Sequence, residues 1–296
     1  MRKFLISVAI AALSAFISCN GSQNLKTEIE NCIYDAPATV GVAVIGPDGD
    51  TTLVNNDICY PLMSVFKLHE ALAVAATLDK RGETFDRPVD IDSADINPGT
   101  WSPMVKIYGV RDTVLTVDML LSHLLLQSDN NASNILFDKI VSVAATDSIV
   151  KSIADDRTFT LRYTERQMQR DHDLSYDNCS SPLACASLIG KVFGDSLVST
   201  AKQNRIAQLL TGCESAPGRI AAAAKDIPGV KLAHRTGSGY TNDAGCIVAV
   251  NDVACIELPD GRRLSLAILV KDYAGNQDDA DALIARIARK IINYYL

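Results

Sequence analysis

A basic surplus is missing from this chain of 296 residues: 28 lysines and arginines stand against 35 aspartates and glutamates, for a net charge of −7. Nucleic-acid binders usually carry a basic stripe or excess, so the charge argues against that class. Regular cysteine spacing is missing too. The eight cysteines contain no C-x-x-C and fall irregularly, which argues against a zinc site and against a disulfide framework. Cys19 apart, the seven at Cys32, Cys59, Cys179, Cys185, Cys213, Cys246 and Cys255 read mostly as small buried hydrophobes, with their pairing left open. His69, His123, His172 and His234 show no ligand spacing, read as non-catalytic, and call for no metal or organic cofactor. Tryptophan occurs once, at Trp101. There is no internal repeat and no low-complexity tract.

The N-terminus differs from the rest. "MRKFLISVAIAALSAFISCN" has a basic start at Arg2 and Lys3, then an uncharged apolar run from Phe4 to Ile17. That run is short for a membrane span and fits a secretory leader over residues 1–18. "FISC" resembles a bacterial lipoprotein box with Cys19 as the lipidated first residue, although Phe16 stands where leucine is commonest. Ordinary cleavage in the same region is the alternative. The expectation is an exported, periplasmic protein, lipid-anchored or free, and monomeric. Beyond the leader, 48% hydrophobic and 21% charged residues describe ordinary globular sequence, enough for one large domain or two interlocked lobes.

A polar linker near "NGSQN" precedes a first helix at 25–34. "TVGVAVIG", "PDGD" and "TTLV" read as two strands around a turn. Helical patterns then dominate, over 64–79, 117–127, 131–141, 145–154, 182–193 and 198–211. Strand signals return in "GCIVAV", "DVACIEL" and "RLSLAILV", the last two flanking the turn "PDGR". The closing "DDADALIARIARKIINYYL" is an amphipathic helix with acids in its first turn, which suits the helix dipole. The expected fold class is α/β in the α+β sense. An antiparallel sheet forms from both chain ends (24–62 and 212–296) with flanking helices, and an all-helical lobe (63–211) is inserted. A ligand cleft is expected between the lobes.

"PLMSVFKLHEAL" places Lys67 in a greasy segment, one helical turn after Ser64. The two share a helix face, and a desolvated lysine becomes a usable base for a serine hydroxyl. The S-x-x-K pattern alone is weak, because Ser148 and Lys151 repeat it on what reads as a solvated helix face. "LLLQSDNNASN" sets Ser128, Asp129 and Asn130 after an apolar helix, where a simple helix cap is the competing reading. "AHRTGSGYTNDAG" is a Gly-rich polar segment whose competing reading is a hairpin edge with Arg235 in solvent.

These three pieces in this order match the S-x-x-K, S-D-N and K-T-G set of class A β-lactamases and penicillin-binding proteins. The chain resembles the class A serine β-lactamases over nearly its whole mature length, and looks closest to the Bacteroides-type branch, whose members are often cephalosporinases. The resemblance implies a β-lactamase/transpeptidase-like fold and hydrolysis of β-lactams, small molecules that are its expected partners. It implies Ser64 as acylated nucleophile, Lys67 as its proton-handling neighbour and Ser128 as proton donor to the lactam nitrogen. Asn130 would hold the substrate amide. The backbone N–H groups of Ser64 and Ser238 would form the oxyanion hole, each donor worth roughly 3–4 kcal/mol. Arg235, Thr236 and the Ser238 hydroxyl would receive the substrate carboxylate.

Departures from the family pattern are specific. Arg235 replaces the usual lysine, keeping the charge but not the ability to lose a proton. Glu165 in "YTERQMQ" matches the deacylating base, with the solvated loop acid as its competing reading, and Gln169 takes the usual asparagine place. Asn134 would hydrogen-bond the loop near Glu165. Tyr163 stands where many relatives carry a clamping arginine, so the loop must be held differently. Trp101 falls where relatives place an aromatic at the cleft mouth, against a packed core indole. Arg219 is a second carboxylate anchor or a solvent-facing arginine. The alternatives to hydrolysis are a D,D-peptidase lacking the water-activating acid, and a non-catalytic sensor lipoprotein.

Overall fold

Strand-forming sequence from the two ends of the chain meets in one sheet. The computed structural model describes residues 24–296, so the expected leader over 1–18 and the lipidation position Cys19 lie outside the described residues. In chain order the strands are β1 (Thr39–Ile45), β2 (Thr51–Val54), β3 (Tyr60–Pro61), β4 (Pro88–Ile91), β5 (Thr113–Thr116), β6 (Phe159–Thr160), β7 (Cys179–Ser180), β8 (Lys231–Ser238), β9 (Ile247–Glu257) and β10 (Arg263–Tyr273). The main sheet has the order β2-β1-β10-β9-β8, and every pairing in it is antiparallel. This is the expected antiparallel sheet made from both chain ends.

The helices are α1 (24–33), α2 (Phe66–Arg81), α3 (Pro103–Tyr108), α4 (Val117–Leu126), α5 (Asn130–Lys139), α6 (Val143–Ile153), α7 (Glu165–Arg170), α8 (Pro182–Gly194), α9 (Thr200–Thr211), α10 (Ile220–Ala224) and α11 (Gln277–Tyr295). Local chemistry explains their ends. Side chains of Thr116, Asp129, Ser142, Thr164, Ser181 and Asn276 each accept a backbone N–H at a helix start. Gly82 closes α2 at φ 67°, the left-handed conformation glycine adopts without strain.

The sheet is covered on both faces. Val42, Val44, Val250, Ala254, Leu266 and Ile268 pack toward α1 and α11, while the intervening Ala43, Val253, Cys255, Ala267 and Leu269 join the core of the helical section. Period-two alternation therefore feeds two hydrophobic cores from one sheet, which is why β9 and β10 read as nearly unbroken apolar runs.

Two differences from the sequence reading have clear causes. "GCIVAV" and "DVACIEL" read as separate strands because Asn251 and Asp252 interrupt the apolar run, yet β9 continues through them. Both are buried and fully engaged. Asn251 donates to the Pro61 and Leu62 carbonyls and accepts from Val270 N–H, while Asp252 accepts from Ile220 N–H and contacts His234. The short strands β4 to β7 lie inside the section read as helical, and β3 just before it; two to four residues carry no periodic signal. Cys59 and Cys179 form a disulfide with Cα atoms 5.5 Å apart across 120 residues of sequence, a pairing the sequence reading left open. Of the other described cysteines, Cys185 and Cys255 are buried and free, and Cys32, Cys213 and Cys246 are half-buried and free. Among the described residues, no helix is long and apolar enough to cross a membrane.

Candidate active site

A tight turn delivers the serine. Met63–Val65 form a single 3₁₀ turn that runs straight into α2, placing Ser64 at the helix mouth and Lys67 within its first turn. Met63 is held at φ 44° and Ser128 at φ 61°, conformations that cost a non-glycine residue energy. Both strained residues border one cavity of about 760 Å³, lined among others by Ser64, Ser128, Asn130, Glu165, Thr236 and Ser238. Gly237 explains how β8 comes so close to the turn. A Cβ at that position would sit 2.5 Å from the Leu62 carbonyl oxygen, so only glycine lets the strand lie flush against Ser64.

Lys67 is fully buried and is the hub. Within reach of its three N–H donors lie Ser64 Oγ at 3.0 Å, Asn130 Oδ1 at 2.6 Å, the Ser128 carbonyl at 2.9 Å and Ser128 Oγ at 3.3 Å. It also pairs with Glu165 Oε1 at 2.9 Å. Burial lowers its pKa from the usual lysine value, the Glu165 carboxylate opposes that, and the Arg235 charge adds to the lowering. Ser64 Oγ in turn donates to Glu165 Oε1 at 3.1 Å. One hydroxyl thus lies between an amine whose neutral form is made accessible and a carboxylate. Ser148 and Lys151 share the spacing but not the surroundings: Ser148 donates to the Ala144 carbonyl on an exposed face, and Lys151 pairs with Asp147.

Glu165 opens α7 behind a capping box made by Thr164 and Gln167. Asn134 accepts from Arg166 N–H at 3.1 Å, fixing the loop next to Glu165. With Tyr163 in place of a clamping arginine, the loop is closed by Asn178, which is fully buried. Its Oδ1 accepts from the N–H groups of Arg162 and Tyr163 and its Nδ2 donates to the Tyr163 carbonyl. Gln169 turns its amide to the 97–99 segment. Its amide bridges the cleft, accepting from Asn97 Nδ2 and donating to the Gly99 carbonyl.

The S-D-N turn is wired from both sides. Asp129 caps α5 and accepts from Ser102 Oγ and Met104 N–H, while Asn130 Nδ2 donates to Thr100 Oγ1. Trp101 is 62% exposed and donates from Nε1 to the Gln127 carbonyl, which rules out a packed core indole and leaves it on the cavity rim.

Both arginines are buried. Arg235 donates to the Ser64 carbonyl at 2.9 Å and to Ser128 Oγ at 2.6 Å, from beneath the cavity floor. The solvent-exposed hairpin-edge reading of Arg235 is therefore wrong. Arg219 is not solvent-facing either: it pairs with Asp281 at 2.7 Å, donates to the Gly237 and Asn251 carbonyls, and reaches Ser238 Oγ at 2.6 Å. Hydroxyls face the cavity in their place, with Ser215 Oγ 2.6 Å from Thr236 Oγ1 and Ser238 beside them. His234 points to the opposite face of β8 from Arg235, onto Asp252 at 3.0 Å.

Asn178, Asn251 and the buried Glu70–Ser133 contact at 2.7 Å were not legible as site residues. Their partners are distant in sequence. Among the described residues, no group of three or more His, Cys, Asp or Glu side chains is arranged to hold a metal ion.

The chain resembles known proteins over most of its length. Residues 24–295 match the family model described as the beta-lactamase enzyme family. A β-lactamase of Phocaeicola vulgatus is 43% identical over 264 residues, covering 89% of this chain and 82% of the relative. The extended-spectrum β-lactamase PER-1 of Pseudomonas aeruginosa is 31% identical, covering 98% and 93%. Among solved structures, the TLA-1 extended-spectrum β-lactamase superposes with a TM-score of 0.88 at 30% identity, covering 93% of this chain and 99% of that one. A class A β-lactamase from Bacteroides cellulosilyticus gives 0.86 at 27% identity, covering 93% and 98%.

Proposed function

The chain belongs to the β-lactamase enzyme family and is a class A serine β-lactamase, and we propose that it hydrolyses β-lactam antibiotics through an acyl-Ser64 intermediate, favouring cephalosporins. The observation that carries this reading is the convergence on Ser64 Oγ of Lys67 Nζ at 3.0 Å and Glu165 Oε1 at 3.1 Å. The Ser64 proton leaves to this amine–carboxylate pair as the oxygen attacks the lactam carbonyl. Backbone N–H groups of Ser64 and Ser238 receive the developing oxyanion, the largest stabilising contribution in reactions of this kind. The C–N bond then breaks, and Ser128 Oγ hands its proton to the departing nitrogen and is resupplied from Lys67 Nζ, 3.3 Å away.

Esterification removes the hydroxyl that Glu165 accepts from, freeing Oε1 to take a proton from a water that attacks the ester. Ester cleavage regenerates Ser64 and releases the ring-opened acid. Thr236, Ser238 and Ser215 would receive the substrate carboxylate, with Arg235 and Arg219 supplying positive potential from behind them. Asn130 would hold the substrate amide, and Trp101 and Gln169 would flank the entrance. The cephalosporin preference rests on the resemblance to the Bacteroides-type branch. Export to the periplasm, lipidation at Cys19 and a monomeric state belong to the same proposal and rest on residues 1–19 and the family reading.

Steady-state turnover of a chromogenic cephalosporin tests the reading. Linear hydrolysis over many equivalents is expected, with kcat/KM above that for a penicillin. One stoichiometric burst followed by a long-lived acyl-enzyme would make the protein a penicillin-trapped peptidase.

A further inference from the structure

Behind the hydroxyl wall lies a second nucleophile cluster that the hydrolysis does not use. Cys213 follows α9 and is half-buried and free. Its Sγ lies 3.1 Å from Ser215 Oγ, which is 2.6 Å from Thr236 Oγ1, and both hydroxyls line the cavity. On its other side the thiol meets the side chains of His234 and Arg235. His234 is buried and turns Nδ1 to the Asp252 carboxylate at 3.0 Å. Asp252 is itself pinned by Ile220 N–H at 3.0 Å. The series carboxylate, imidazole, thiol is the arrangement that activates a cysteine, with a guanidinium added.

We propose that Cys213 is a modification site: it takes a low-molecular-weight disulfide by thiol–disulfide exchange, and the resulting adduct closes the Ser215–Thr236 end of the cavity. The Cys213 thiolate, its proton lost to solvent, attacks one sulfur of the disulfide, a new S–S bond forms as the old one breaks, and the departing thiolate takes a proton from solvent. The balance is one thiol and one disulfide in, one mixed disulfide and one thiol out. The electrostatics support the step. Burial alone would raise the Cys213 pKa, but the contact with His234 and the charges of His234 and Arg235 bring it down to about 7. Burial also works against charge on His234, and the Asp252 carboxylate overrides it, holding the imidazole well above its ordinary range. The competing free thiols differ: burial pushes Cys185 up to about 12 and Cys255 up to about 11.

The inference rests on the hydrolase reading only for its activity readout. The full chain is incubated with glutathione disulfide at neutral pH, adducts are located by peptide mass, and cephalosporin turnover is followed. Capping at Cys213, a loss of turnover of about tenfold or more and recovery with a reductant are expected. Cys213→Ser should keep untreated turnover within about twofold and be insensitive to the reagent. His234→Gln should slow capping of Cys213 by about tenfold while leaving any reaction at Cys32 and Cys246 unchanged. Adducts at Cys32 or Cys246 with Cys213 unreacted, or capping of Cys213 without loss of turnover, would overturn the proposal. Absence of turnover before treatment would count against the hydrolase reading alone, because capping is scored by mass.

Discussion

The two walls of the cavity use buried charge differently. On the helical wall, Lys67 and Glu165 touch each other and Ser64 directly, so charge sits where bonds would change. On the sheet wall, Arg219 and Arg235 are buried as deeply, yet Arg219 is spent on Asp281, two carbonyls and Ser238, and Arg235 on the Ser64 carbonyl and Ser128, and hydroxyls face the cavity. One wall is arranged to move protons, and the other to position neutral donors in front of fixed positive potential. Substitutions on the first should lower kcat; those on the second should act chiefly through KM.

The largest effect is expected for Lys67→Met, which keeps the stem and removes the amine. A fall in kcat of roughly 10²–10⁴-fold is expected, the range for a positioned acid–base group. Arg219→Lys sharpens the contrast. A lysine retains the charge but cannot serve Asp281, two carbonyls and Ser238 together, so kcat/KM should fall about tenfold, mostly through KM. If kcat fell as far as in Lys67→Met, the division between the walls would be wrong.

The smallest effect concerns stability. Glu70 is fully buried one turn beyond Lys67, accepts from Ser133 Oγ at 2.7 Å, and has no partner for Oε1. Burial raises its pKa well above 4.5, with the Ser133 hydrogen bond and Lys67 opposing. The unfolded chain ionises Glu70 near pH 4.5 while the folded chain keeps the proton. Its contribution to stability is therefore fully present below that pH and is lost as pH rises toward the folded value. Glu70→Gln mimics the protonated form. Thermal melts should show a Tm gain at pH 8 of roughly 2–4 °C, about 1 kcal/mol, and none at pH 4.

The helical wall was the more legible of the two in sequence. Ser64, Lys67, Ser128 and Asn130 lie in short motifs where a polar residue breaks an apolar helix, and α2, α4, α5, α6, α8 and α9 fall within two residues of their expected starts. Glu165 needed the family resemblance, since an acid among Arg162, Arg166 and Arg170 looks solvated until the fold turns it inward. The sheet wall was less legible. Alternation along β8 sends His234 and Arg235 to opposite faces as expected, but no local signal distinguishes an arginine that meets substrate from one that meets carbonyls. Asn178, Asn251 and the Cys59–Cys179 disulfide were missed for the same reason: each partner is brought close only by tertiary folding.

The central claim is that Glu165 activates the water that frees Ser64. Intact-mass spectrometry of Glu165→Gln mixed with a cephalosporin tests it most directly, because glutamine preserves shape and cannot take the proton. A covalent adduct on Ser64 that persists after wild-type protein has returned to its free mass is the expected result. No adduct, with product released at the wild-type rate, would contradict the account.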